Sequence, residues 1–191
     1  MNVIDLDERA VNGTEQLIAK TPSERWAAPT PCSEWDVHDL IRHLVAGNVK
    51  YTGVANGDNW QPGAPEMDIG EQPAEAYRRT AQELIEAWRQ PGVTDREIDL
   101  PRGRRGAAEK ALWIHLVESL VHGWDLARAT GQEPAFDEDV VAAALADVQG
   151  RTPAQRGPES PFTDAKTAPE GAPLIDQLAA YLGRDVTAWS G

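Results

Sequence analysis

The chain has 191 residues, of which 18 are Lys or Arg and 31 are Asp or Glu, so its formal net charge is −13 at pH 7. This length suits one domain over residues 1–191, and the acidity argues against nucleic acid as a partner, because a phosphate backbone needs a basic footprint. There is no apolar run long enough for a membrane span and no secretory signal, and the single cysteine, Cys32, excludes an internal disulfide framework. We therefore expect a cytoplasmic protein with no membrane partner.

Apolar residues recur at helical intervals in four long segments, which predict the main helices. Their approximate ranges are 3–20, 36–55, 74–90 and 108–130. Ser33 and Asp36 have the spacing of a capping box, so the second helix should begin close to Asp36. Only one or two short segments, such as REIDLP at residues 96–101, alternate as a strand would. We therefore predict an all-α fold in which the helices pack as a bundle.

Segments rich in Gly and Pro connect these helices. Residues 56–73 form a loop whose length is typical of functional or mobile loops, and its Trp60 is a candidate to line a pocket. Residues 131–191 form a C-terminal extension. This extension should contain a short helix capped by Asp137 and an amphipathic C-terminal helix within residues 172–185.

The segment 112–130 is the most informative of the predicted helices. Most of its circumference is apolar, so neighbours should surround it. One stripe nevertheless carries four ionisable side chains spaced three, four or seven residues apart. These are His115, Glu118, His122 and Asp125. Ionisable groups are not buried without partners, and a metal ion would provide one.

The spacing within this stripe predicts a metal site shared with a second helix. Glu118 and His122 are one turn apart and project to the same side, so both can bind one ion. His43 is the candidate third ligand, because it flanks the apolar stripe of the second helix beside Gly47, which leaves room for a ligand. His38 lies about 140° away from His43 around that helix and is assigned to the surface.

Two other residues of the stripe leave the ligand set open. His43, His115 and His122 form a chemically acceptable alternative set, and His115 can also orient a ligand without binding the ion. Asp125 can accept the second N–H of His122 and fix its tautomer. Both His115 and Asp125 are thus alternative ligands or residues that orient the ligands.

A basic cluster precedes the central helix and consists of Arg102, Arg104 and Arg105. Such a cluster is either solvated surface or a candidate binding site for an anionic substrate at the mouth of the metal site.

Several stretches resemble one known family: TPCSEW followed by DVHDLIRHLVAGN, then ESLVHGWDLARATGQ, and APLIDQLAAYLGRD. They are similar to the actinobacterial DinB-like metal-binding family, which includes the metal-binding N-terminal domain of mycothiol-dependent maleylpyruvate isomerase. The resemblance covers nearly the whole chain and is most specific over residues 122–131. It implies a DinB-like four-helix bundle with an additional short helix and a C-terminal helix. It also implies a divalent metal, zinc or nickel, held by His43, Glu118 and His122, the set that the helix pattern favours.

The resemblance further implies thiol chemistry with mycothiol as a cofactor. The isomerase has a C-terminal domain that this chain lacks, so we expect a thiol-activating transferase, isomerase or detoxification enzyme acting on a small electrophile. One alternative is a metal-dependent hydrolase that uses metal-bound water, with Asp125 or His115 as general base. Another is a non-catalytic metal-binding or stress-response protein. The sequence names no catalytic residue, and it is compatible with a monomer or a homodimer.

Overall fold

The computed structural model describes residues 2–33, 35–63, 65–100, 103–157, 160 and 162–189. Within these ranges the chain forms six α-helices and two β-strands, together with a short 3₁₀ turn at Ser23–Arg25. The elements are α1 (Val3–Ala19), α2 (Val37–Asn56), α3 (Pro73–Trp88), β1 (Glu97–Leu100), β2 (Arg104–Ala107), α4 (Glu109–Thr130), α5 (Glu138–Arg151) and α6 (Leu174–Tyr181). The prediction of a mostly helical protein is therefore confirmed.

Helix α4 lies at the centre of the molecule and contacts α1, α2, α5, α6 and β2. Helix α3 packs along α2 and also contacts α1, while α5 and α6 pack on each other. The largest fully buried side chains of α4 are Leu112, Leu116, Leu120, Trp124 and Leu126. This burial agrees with the apolar circumference of the segment, which requires neighbours on several sides. None of the described helices is long and apolar enough to cross a membrane.

Helices α1 and α4 each have a glycine where the ring of Phe136 packs against them. A Cβ at Gly13 of α1 would lie 2.8 Å from this ring, and a Cβ at Gly123 of α4 would lie 2.5 Å from it. Side chains at these positions would displace the ring. The segment before α5 can therefore pack against both helices only because these two residues are glycines.

The strict all-α prediction is corrected by one β-hairpin. Strands β1 and β2 pair antiparallel, with Ile98 opposite Gly106. Ile98 and Leu100 are buried whereas Glu97 and Asp99 are exposed. This alternation has the two-residue period of a strand with one buried face. A two-stranded hairpin is marginally stable by itself, and here it packs against α4.

Two aspartates expected near helix starts have different roles. Asp36 caps α2, because its carboxylate accepts a hydrogen bond of 2.8 Å from the Asp39 backbone N–H. Asp137 precedes α5, but its side chain makes no capping hydrogen bond. It accepts a hydrogen bond of 2.8 Å from Arg9 Nε of α1 instead. Asp137 therefore occupies the predicted N-cap position of the fifth helix, but its carboxylate binds an arginine on α1 and does not cap the helix.

A buried polar network links α1, α4, α2 and α3 in turn. On α1, Asp7 accepts a hydrogen bond of 2.8 Å from His115 Nδ1 of α4. The side chains of this pair are only 4% and 3% exposed. His115 Nε2 lies 3.2 Å from Asn48 Oδ1 on α2, and Asn48 Nδ2 donates to Thr80 Oγ1 on α3 at 3.2 Å. Each of the four helices thus contributes one polar side chain to a continuous chain of hydrogen bonds.

The partners of His115 favour its protonated form. The Asp7 carboxylate and the Asn48 carbonyl oxygen lie beside its two ring nitrogens, and both oxygens can accept a hydrogen bond. Burial lowers the pKa of His115, but the charge of Asp7 and its hydrogen bond outweigh burial and raise the pKa above its usual value of 6.5. The network therefore contains a buried ion pair.

Replacing Asp7 with Asn should destabilise the protein, because a buried imidazolium then lacks its counter-ion. We expect the free energy of unfolding, measured by urea denaturation at about pH 6, to fall by about 3 kcal/mol. Asp5→Asn is the matched control, since Asp5 is an exposed residue of the same helix. It should change the free energy of unfolding by less than about 0.5 kcal/mol.

The effect of Asp7→Asn should also depend on pH. Because the pKa of His115 is raised above 6.5 in the folded state, the ion pair contributes fully below that pH and is lost as the pH rises through the folded-state pKa. The difference in unfolding free energy between wild type and Asp7→Asn should therefore shrink towards about pH 9. An undiminished difference there would contradict a charged His115.

Candidate functional site

Two histidines on different helices meet at the interface between α2 and α4. The ring centroids of His43 and His122 lie 4.9 Å apart, with an interplanar angle of 79°. The ring of Trp35, just before α2, packs against both, with centroid distances of 4.4 Å to His43 and 5.7 Å to His122. His122 is 7% exposed, and His43 is half-buried. Two of the three predicted metal ligands are thus in contact.

His43 is held in its neutral form. Burial, together with the neighbouring His122 and Lys50, lowers the pKa of His43 to about 3. A neutral imidazole keeps a nitrogen lone pair, which is the form that binds metal ions.

Glu118, the third predicted ligand, lies one turn before His122 on α4 and is half-buried. Its carboxylate acts on two residues of α2. Burial raises the pKa of Tyr51 well above its usual value, and the negative charge of Glu118 raises it further. Burial lowers the pKa of Lys50, and Glu118 opposes that shift. Glu118 is therefore close to α2, while the binding of one ion by His43, Glu118 and His122 together stays a prediction.

Open space lies beside Gly47 on α2. This residue is one turn after His43 and one turn before Tyr51, and it is buried. A Cβ built there would nevertheless meet no heavy atom within 4 Å outside its own helix turn. Because the rings of both His43 and Tyr51 contact histidines of α4, this face of α2 points towards α4. A gap of at least methyl size therefore lies between the helices, at the level of Glu118.

The orientation of His122 is set by a buried carboxylate. Asp125, which is 0% exposed, has its Oδ2 atom 3.1 Å from His122 Nδ1. Arg184, which follows α6, donates from Nε to Oδ1 at 3.1 Å and from Nη2 to Oδ2 at 2.7 Å.

These contacts determine the tautomer of His122. Burial raises the pKa of Asp125, but the hydrogen bonds from His122 and Arg184 outweigh burial and lower it below its usual value. An ionised Asp125 can only accept hydrogen bonds, so the proton of a neutral His122 lies on Nδ1. Nε2 then carries the lone pair that a metal ion needs.

A second group of candidate ligands lies on the Arg184 side of His122. Among the described residues, Cys32, His122 and Asp125 bring one donor atom each within 4.8 Å of the others. Arg184 Nη2, however, lies 3.8 Å from Cys32 Sγ and donates to Asp125 as well. A guanidinium in contact with two of the three groups opposes a cation among them. The arrangement is better described as a hydrogen-bonded support for His122.

The two remaining histidines, His115 and His38, have partners away from the contact of His43 with His122. His115 has both ring nitrogens in hydrogen-bonding contact with Asp7 and Asn48, so neither is available to an ion in this arrangement. His38 packs near Trp26, with ring centroids 5.8 Å apart, and not near His122.

The arginine cluster is described only in part. Arg102 lies outside the described residues. Arg104 and Arg105 belong to β2, where Arg105 Nε lies 3.3 Å from Asp99 Oδ1 and its Nη2 atom lies 3.7 Å from Glu97 Oε2. The charge of Arg105 is therefore already balanced by neighbours on β1, and anion binding by the cluster stays a prediction.

Sequence reasoning missed the role of Arg184 and the contacts of Cys32. Arg184 stands in the stretch APLIDQLAAYLGRD, which is predicted as an amphipathic helix and carries part of the resemblance, but no helical spacing relates it to Asp125. Cys32 precedes α2 in the TPC turn, far along the chain from His122. Such contacts between distant segments leave no periodic signal in the sequence.

The sequence and the fold of the chain are similar to those of known proteins. Residues 8–127 match the model of the mycothiol maleylpyruvate isomerase N-terminal domain. Two uncharacterized proteins of Mycobacterium tuberculosis are each 34% identical to the chain over 187 residues, which is 97% of this chain and 100% of theirs.

Two solved structures are similar in fold: the mycothiol-dependent maleylpyruvate isomerase and a mutant of it. Each has a TM-score of 0.59 and covers 76% of this chain and 68% of its own, at 14% and 13% sequence identity. At this identity the likeness concerns the fold alone. The family model, which matches more than half of the chain, gives the assignment: the chain belongs to the mycothiol maleylpyruvate isomerase N-terminal domain family.

Proposed function

We propose that this protein binds one divalent metal ion through His43, Glu118 and His122 and uses it to activate mycothiol against a small electrophile. The observation that carries the proposal is the contact of His43 and His122 across the α2–α4 interface. The proposed architecture is a DinB-like four-helix bundle made of α1 to α4, with α5 and α6 as the additional helices.

The residues present fit a divalent ion. Two imidazoles and one carboxylate form a donor set suited to zinc or nickel. His43 is neutral because its pKa is lowered to about 3, and Asp125 directs the lone pair of His122 to Nε2 through its contact with Nδ1. The gap beside Gly47 provides space at the same level of the interface.

A metal ion in such a site lowers the pKa of a bound thiol and so favours the nucleophilic thiolate at neutral pH. The protein itself supplies the orientation of the ligands and a partly buried space between α2 and α4. Trp35 covers both histidines on one side and limits the access of water to them. The proposed reaction is a group transfer or isomerisation that begins with attack of the thiolate on the electrophile.

The hydrolase alternative finds less support. It requires Asp125 or His115 as a general base, but Asp125 accepts two hydrogen bonds from Arg184. Both ring nitrogens of His115 are in hydrogen-bonding contact with Asp7 and Asn48. Neither group is free to take a proton from water. No contact in the described part of the chain favours the non-catalytic alternative over the thiol-activating one.

Metal content is the direct test of the site. Wild-type protein reconstituted with zinc should contain about one ion per chain by elemental analysis. His43→Ala and His122→Ala should each lose most of it, because each variant removes one of three ligands. His38→Ala is the matched control on α2, since its ring packs near Trp26, and it should retain the metal. Equal loss from His38→Ala, or retention by His122→Ala, would contradict the assignment.

Arg184→Gln should weaken metal binding without removing any ligand. Without the guanidinium, Asp125 holds the His122 ring less firmly, and loss of such a supporting partner costs about 10- to 100-fold in metal affinity. The zinc dissociation constant can be measured by competition with a chromophoric chelator.

Arg128→Gln is the matched control for this variant. Arg128 also connects α4 to the C-terminal segment, through a hydrogen bond of 2.9 Å to Asp176, but it does not contact Asp125. It should therefore leave the zinc dissociation constant unchanged. A similar loss of affinity in both variants would mean that Arg184 acts only through general stability.

The thiol-activating reaction can be tested with mycothiol and iodoacetamide as a model electrophile. We expect zinc-loaded wild type to accelerate their reaction by about tenfold or more at neutral pH relative to His122→Ala, because the metal raises the thiolate fraction. The readout is the consumption of thiol. Hydrolysis of ester substrates in thiol-free buffer, with no acceleration of the thiol reaction, would favour the hydrolase instead.

A further inference from the structure

The side chain of Tyr51 on α2 contacts two residues of the polar stripe on α4. Its ring centroid lies 4.8 Å from that of His115, with an interplanar angle of 57°. Its hydroxyl makes a side-chain hydrogen bond with Glu118, which lies one turn further along α4. Tyr51 is 0% exposed. A residue of α2 therefore reaches one of the proposed metal ligands from within the core.

A second donor lies behind the Tyr51 hydroxyl. The indole of Trp60, in the loop after α2, makes a side-chain hydrogen bond with the same hydroxyl. Because an indole N–H can only donate and an ionised carboxylate can only accept, Trp60 donates to Tyr51 and Tyr51 donates to Glu118. Apart from these bonds, neither the Tyr51 hydroxyl nor the Trp60 N–H has a partner in hydrogen-bonding geometry among the described residues.

Lys50 holds the Trp60 loop against α2. Its Nζ atom lies 4.3 Å from the centroid of the Trp60 ring, and it donates to the carbonyl oxygen of Gly63 at 2.8 Å. Lys50 directly precedes Tyr51, so the loop is attached to the turn of α2 that carries the hydroxyl. This attachment keeps the Trp60 N–H next to Tyr51.

We propose that Tyr51, supported by Trp60, is a positioning residue that holds the Glu118 carboxylate towards the metal site. A hydrogen bond to a ligating carboxylate fixes its orientation, and such partners raise metal affinity. The inference rests on the proposed function, in which Glu118 is a ligand. Because Trp60 belongs to the loop and Glu118 to α4, these hydrogen bonds also connect the loop after α2 with the metal site.

The other proposed ligand on α4 is held in the same manner. Asp125 Oδ2 lies 3.1 Å from His122 Nδ1, and Arg184 donates to Asp125 at 2.7 Å. Each ligand of α4 thus has one buried polar partner, and a side chain from outside the four long helices donates to that partner. The same arrangement at both ligands favours orientation as its role, because packing alone does not require a buried hydroxyl.

The test measures the zinc dissociation constant by competition with a chromophoric chelator. Tyr51→Phe keeps the ring and all three proposed ligands but removes the donor to Glu118, so zinc binding should weaken by about tenfold. Trp60→Phe should weaken it by about threefold, because Tyr51 still donates but is held less firmly. In the double variant, Trp60→Phe should add no further loss, since Trp60 acts through the Tyr51 hydroxyl.

Tyr77→Phe is the matched control for general stability. Tyr77 is equally buried, but its hydroxyl donates to the Val11 carbonyl at 3.4 Å and not to a proposed ligand. This variant should melt at a lower temperature because a buried hydrogen bond is lost, yet it should keep the zinc affinity of the wild type. Equal weakening of zinc binding in Tyr51→Phe and Tyr77→Phe would overturn the positioning role.

The hydrogen bond to Glu118 can be tested without metal, in chelator-treated protein. Tyr51→Phe should lower the melting temperature by about 3 °C more in the wild-type background than in a Glu118→Ala background. The reason is that the hydroxyl has no carboxylate to lose in the second case. An equal decrease in both backgrounds would contradict the hydrogen bond and overturn the proposal.

The possible failures separate this inference from the proposed function. Zinc binding by the wild type with unchanged affinity in Tyr51→Phe would refute the positioning role and leave the metal site intact. Absence of zinc binding by the wild type would refute the metal site and the positioning role with it, even if the melting temperatures show the hydrogen bond. A further loss of zinc affinity in the double variant would refute the support of Tyr51 by Trp60.

Discussion

The buried ion pair of Asp7 and His115 is the constraint on which the placement of the candidate site depends. A charge in the core is tolerated only when its partners lie in register, because an unpaired one costs several kcal/mol. The pair therefore fixes α4 against α1, and the contact of His115 with Asn48 fixes α4 against α2. Along the same α2–α4 interface, His43 precedes Asn48 and His122 follows His115, and the two imidazoles meet there.

The four ionisable residues on the stripe of α4 have different physical roles. His115 and Asp125 each have a charged partner within the protein, Asp7 and Arg184 respectively. Glu118 and His122 lie between them and face α2. A single metal ion was an economical explanation for the whole stripe, but the two outer residues have charged partners within the protein, and only the two inner ones belong to the proposed ligand set.

The helical spacing of residues made the polar stripe on α4 and the position of His43 predictable from the sequence. It reports which residues share a face, so the stripe on α4 and the position of His43 beside Gly47 could be recognised from spacing alone. It does not report which distant residue meets that face. Asp7 and Arg184 could not be assigned as partners for this reason. The alternation of residues 96–101 was recognised, but the pairing of β1 with β2 was not predicted, because four-residue strands give too short a pattern to outweigh the helical signal around them.

The contact between Arg184 and Asp125 has a consequence for how this domain should be delimited. The region that matches the family ends at residue 127, so Asp125 lies inside it and Arg184 lies outside. Three proposed ligands come from the shared region, yet the group that holds one of them in place comes from the segment after α6. A chain cut where the family-model match ends would leave a buried carboxylate beside His122 without its cation. In this protein the physical unit of the site extends beyond the region that the family model matches.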